Sequence, residues 1–272
     1  MNPSSLRSLR AFALTLAATC ATLTAQAGVV NVTVTVENLA RANGIAFAPL
    51  HLGFHNGSFD AFNRGGVATA PIISVAEGGA GGAWQAAFAA ADPTATRGTV
   101  GGLLLPGASS SLTLRVDTAL NPYFTFASMV VPSNDFFIGN DSPFEYRLFD
   151  ASGALAIQAI TVAADEIWDA GSETFDPAAA AFVGNNDLRT PQNGVVAFNF
   201  SELSGFNGLT TGAGYVFNSG LTADLDVYRI SFGVTPVPEP GSLGLLSAGL
   251  LSLGFFARRR RGAHEPKAAA AA

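Results

Sequence analysis

Along most of the chain, apolar residues recur at every second position. Val30, Val32, Val34 and Val36 alternate with Asn31, Thr33, Thr35 and Glu37. Leu50, Leu52 and Phe54 alternate with His51, Gly53 and His55, and Leu112, Leu114 and Val116 alternate with polar neighbours. Phe144, Tyr146 and Leu148, and later Tyr228, Ile230 and Phe232, repeat the pattern. A strand turns successive side chains to opposite faces, so this alternation predicts strands with one face buried and one in water. Further strands are expected over Tyr123–Val131, 154–162 and 195–200. Glycine, asparagine and proline punctuate the gaps, at Asn56-Gly57, Gly65-Gly66, Gly78-Gly79 and Asn193-Gly194. The spacing predicts an all-β sandwich with one continuous core and no internal repeat. One segment breaks the period: residues 84–91, WQAAFAAA, are strong helix formers that stop at Asp92-Pro93. They predict a short helix within a loop.

Both ends of the chain read differently. Residues 1–27 have the form of a secretory signal peptide, with Arg7 and Arg10, an apolar stretch and Ala25-Gln26-Ala27 as cleavage site. The sole cysteine, Cys20, lies inside that signal, so the exported chain is expected to have neither disulfides nor a cysteine metal site. At the other end, Val237-Pro238-Glu239-Pro240 precedes an uncharged apolar run, 241–257, and then Arg258, Arg259, Arg260 and Arg261. The run sits at the lower length limit for a membrane helix. The arginines behind it favour a cytoplasmic C-terminus and an outward-facing body. Residues 262–272 read as a disordered tail.

This C-terminal arrangement closely resembles the PEP-CTERM sorting signal of Gram-negative bacteria over 237–261: Pro-Glu-Pro, apolar helix, arginine cluster. The resemblance implies recognition by an exosortase-type membrane protease. It also implies anchoring in the inner membrane before processing, then residence in the cell envelope or outside the cell.

Charge narrows the partners. The body, 28–236, holds seven arginines, no lysine and eighteen acidic residues. That excess argues against nucleic acid and anionic membrane surfaces and is compatible with cations. No nucleophile motif or phosphate loop is present. His51 and His55 share one face of a strand, where they could ligate metal or simply lie on its wet surface. The acidic residues carry the more specific signal. In IWDAGSE, residues 167–173, Asp169 and Glu173 flank a bend that Gly171 eases, and Asp135 lies in the polar turn of VVPSNDFFIG, residues 130–139. A hard cation takes six to eight oxygens, which the loops at one end of a sandwich can supply. On spacing alone, a calcium site and two solvated turns both remain open.

Those two motifs, in that order, resemble the spondin N-terminal domain, and VTVTVENL and LHLGFHNGSFDAFNRGG fit its first strands loosely. The resemblance implies an antiparallel β-sandwich of about eight strands with a calcium ion (Ca2+) at one end, held by Asp135, Asp169 and Glu173. This sequence has Glu173 where the family has Asp, and Phe136 where it has Trp. The expected function is a non-enzymatic, calcium-stabilised binding or structural module. It would act in adhesion or a biofilm, toward extracellular polysaccharide or envelope proteins. The alternative is a secreted polysaccharide hydrolase using Asp135 and Asp169 as paired carboxylates.

Overall fold

A computed structural model describes residues 28–237 and Gly249. The expected signal peptide 1–27, the tail 262–272 and, apart from Gly249, the apolar run 241–257 lie outside the described residues. Among the described residues, no helix is long and apolar enough to cross a membrane.

The valine alternation forms β1 (Val29–Asn38), where Val32, Val34 and Val36 are buried. It pairs antiparallel with β5 (Ser109–Asp117), Val32 opposite Leu114 and Val34 opposite Leu112. On the outer face Thr33 and Thr113 share a 2.8 Å hydroxyl hydrogen bond. β12 (Asp226–Pro236) lies on the other side of β1 and pairs antiparallel with β9 (Ala159–Ala163), giving a four-stranded sheet in the order β5-β1-β12-β9. The Leu39 N–H donates to Val227 O and the Ser231 hydroxyl to Thr35 O, so β1 and β12 run in opposite directions.

The second sheet has eight strands. Its path is β11 (Ala197–Phe198), β10 (Trp168–Asp169), β7 (Phe136–Gly139), β6 (Tyr123–Val131), β3 (Leu50–His55) and β4 (Thr96–Val100). β2 (Ala46–Phe47) and β8 (Tyr146–Arg147) also pair with β6. Among the described residues, eight of the twelve strands are four residues or longer. Leu52, Phe54, Phe124, Phe126 and Ile138 from this sheet meet Val32, Val34, Ile160, Ile230 and Phe232 from the first in one core. Burying each such side chain contributes about 1.5–3 kcal/mol. The buried residues of that core run from Val32 to Phe232, so 28–236 contains its own core.

The sandwich has a third layer. Two helices, α1 (Ala70–Gly78) and α2 (Gly82–Ala91), cover the outer face of the second sheet. α2 is the helix expected from WQAAFAAA. α1 starts where the Thr69 hydroxyl accepts from the Ile72 N–H and Pro71 occupies the first turn, and it ends at left-handed Gly79. Ile72, Val75, Trp84 and Phe88 pack with Phe59, Phe62, Phe137 and Trp168 in a second core. Phe59 and Phe88 stack at 4.1 Å, with Trp84 edge-on to Phe88 at 5.0 Å.

That layer overturns the expectation of surface histidines. His51 is 5% exposed and His55 fully buried, because α2 lies over the face of β3 that alternation assigned to water. In His55, Nδ1 accepts from the Gly57 N–H, so Nε2 carries the proton and donates to Thr125. Burial lowers its pKa to about 4, against a smaller opposing pull from Asp92. Both ring nitrogens are occupied, and the same holds for His51, whose Nε2 donates to Gly79 O and whose Nδ1 accepts from Thr99.

Candidate carboxylate site

Asp135 closes the turn between β6 and β7. The Ser133 hydroxyl donates to Val130 O at 2.6 Å and accepts from the Phe136 N–H, which fixes the tight bend after the cis Val131–Pro132 bond. β10 then pairs with β7, Asp169 opposite Phe136, so the IWDAGSE bend is brought beside Asp135. Asp135 Oδ2 accepts from the Ser172 N–H at 2.7 Å, the Glu173 N–H at 3.0 Å and the Ser172 hydroxyl at 3.2 Å. Its backbone carbonyl takes the Ala170 N–H. Asp135 therefore acts as the fastener of the bend.

Asp169 Oδ1 accepts from the Gly171 N–H at 2.7 Å, an Asx turn, and Oδ2 accepts from Asn199 Nδ2. Gly171 has φ of +64°, and a Cβ there would lie 2.7 Å from the Val195 nitrogen, so glycine is required twice over. Asp135 is 3% exposed. Burial, reinforced by the neighbouring Asp169 carboxylate, pushes its pKa up to about 7 although the N–H donors pull the other way.

Glu173 contributes its N–H to this cluster and its carboxylate to another. Oε1 accepts from Asn134 Nδ2 at 2.8 Å, and Asn134 also bridges to the backbone of Asp176 in both directions. Oε2 is buried with no hydrogen-bond partner. Burial raises the Glu173 pKa, with Asn134 opposing; Glu77 and Asp176 add to the rise and Arg189 works against it. The structure thus brings Asp135 and Asp169 together and turns the Glu173 side chain away from them. Among the described residues, no group of three His, Cys, Asp or Glu side chains is arranged to hold a metal ion. Sequence reasoning missed Asn134 and Asn199, the amides that orient Glu173 and Asp169. Their place beside Asp135 and Phe200 in the two loops was the available signal.

The functional address of the chain lies beyond this site, in the segment that follows β12. Residues 236–261 match the PEP-CTERM protein-sorting motif. The PEP-CTERM match implies an exported protein that an exosortase sorts to the cell envelope. Comparison of the chain with curated proteins gives no match.

Proposed function

We propose that residues 28–236 form a non-enzymatic binding or structural module of the cell envelope, spondin-like and stabilised by calcium, with an adhesion-like role toward matrix polysaccharide or envelope proteins. The PEP-CTERM match supports the location. The calcium reading is carried by one observation: the buried Asp135 carboxyl lies against Asp169 with only neutral donors bonded to either. Carboxylate oxygens are the donors a hard cation takes, and Asp135 and Asp169 supply them together, while Glu173 has an unpartnered Oε2 on a side chain that Asn134 holds apart. Asp135 and Asp169 would hold the ion, and Glu173 would join them by exchanging Asn134 for it. Bound calcium would supply the positive charge that lets Asp135 ionise.

A second reading, a polysaccharide hydrolase with Asp135 as acid and Asp169 as base, has the raised Asp135 in its favour. Against it, Asp135 is 3% exposed and its Oδ2 accepts from three donors that fasten the bend, which is the arrangement of a structural carboxylate.

The test is thermal unfolding of 28–236 with and without calcium. An ion at one hundred times its Kd stabilises by about 2.7 kcal/mol, which raises the Tm of a body this size by roughly 5–10 °C. Asp169→Asn should remove the gain. An unchanged Tm in the parent would defeat the calcium reading.

A further inference from the structure

A cavity of about 380 Å³ opens beside β10 and the edge strand β11 of the second sheet, and none of Asp135, Asp169 or Glu173 lines it. Its walls are aromatic: Phe144, Tyr146, Trp168 and Phe198. Phe144 is 58% exposed and Phe198 37%, while Trp168 stacks on Phe198 at 3.8 Å and fixes that face. The polar lining is mainly carboxylate, from Asp141, Glu145 and Glu166. Arg64 adds one cation, poised over the Phe198 ring at 4.7 Å. Burial raises the Glu145 pKa against the opposing pull of the neighbouring Tyr146 hydroxyl, with Asp141 and Glu166 adding to the rise.

We propose that this cavity binds a sugar unit of a neutral or amine-bearing glycan. This names a ligand class for the binding role proposed above and rests on that reading. The chemistry selects the class by elimination. Carboxylates only accept hydrogen bonds, so the ligand must be rich in donors such as hydroxyl or ammonium groups. A purely apolar ligand would desolvate three carboxylates without compensation. An acidic sugar or a nucleotide would meet their combined charge. The negative faces of the exposed rings attract polarised C–H groups, and a sugar ring presents a face of C–H bonds together with a rim of hydroxyls. The volume falls within the range of small-ligand sites.

The chain contains two tryptophans, and only Trp168 lines the cavity, Trp84 being fully buried in the helical layer, so Trp168 is the reporter. The experiment titrates 28–236, followed by tryptophan fluorescence, with cellohexaose, laminarihexaose, maltohexaose, a chitosan hexamer and polygalacturonate. The expected result is saturable change with at least one neutral or amine-bearing hexamer and none with polygalacturonate. Phe144→Ala, at an exposed position, should weaken that binding at least tenfold, and Glu145→Gln should weaken it too, without change in circular dichroism. Equal binding of polygalacturonate, or unchanged affinity in Phe144→Ala, would overturn the proposal. If calcium raises the Tm and no hexamer binds, the cavity assignment fails and the calcium-stabilised module stands. If a hexamer binds and calcium has no effect, the cavity assignment holds and the calcium reading fails.

Discussion

Replacing Asp135 by asparagine removes one ionisable group from the bend while keeping an oxygen that can accept from the Ser172 and Glu173 N–H groups. The consequence is a change in pH dependence. The Asp135 pKa is about 7 in the folded chain against an ordinary 3.8. Between those values the native state holds a proton that the unfolded chain has released, so stability falls as pH rises. Three pKa units at 1.36 kcal/mol each make this about 4 kcal/mol between pH 4 and pH 8. Asparagine does not titrate, so the stability of wild type minus that of Asp135→Asn should drop by about that amount over the window. Groups away from the bend titrate alike in both proteins and cancel in the difference. The assay is urea unfolding of both proteins at pH 4, 5, 6, 7 and 8 in a calcium chelator. A difference that stays flat with pH would refute the burial argument. If the proposed calcium site is real, saturating calcium at pH 8 should restore most of the lost stability in wild type only.

Three other outcomes follow from the packing. Gly171→Ala places a Cβ at φ +64° and against the backbone of Val195, and should destabilise by about 1–3 kcal/mol in urea unfolding. Phe88→Ala empties the centre of the helical layer and should cost about 3–5 kcal/mol, seen as a Tm lowered by roughly 6–20 °C. His55, buried and neutral, should titrate by NMR near pH 4; a midpoint near 6.5 would show that α2 does not cover β3.

The sequence announced those strands that bury one face. β1, β5 and β12 alternate because one side meets the core and the other meets water. β6 has eight buried positions in nine, since sheet and helices enclose it, and its apolar run YFTFASMVV carries no period. The same cover hid His51 and His55, whose alternation with Leu50, Leu52 and Phe54 looks like that of a wet face. α1 carried its signals openly in Thr69, Pro71 and Gly79, yet Gly78-Gly79 reads equally well as a turn between strands. In the carboxylate site, the pairing of β10 with β7 explains why Asp135 and Asp169 come together from separate motifs. The direction of Glu173 was not legible, because it depends on a rotamer chosen by Asn134 across 39 residues of chain.

β1 and β12 lie side by side and run in opposite directions, with Thr35 beside Ser231 and Leu39 beside Val227. Extending that register puts the start of β1 next to the end of β12, so the folded body begins and ends at the same end of the first sheet's two central strands. It is therefore shaped like an insert: chain can enter and leave through one doorway. A protease cutting beyond β12 would part the chain there with no strand withdrawn from either sheet.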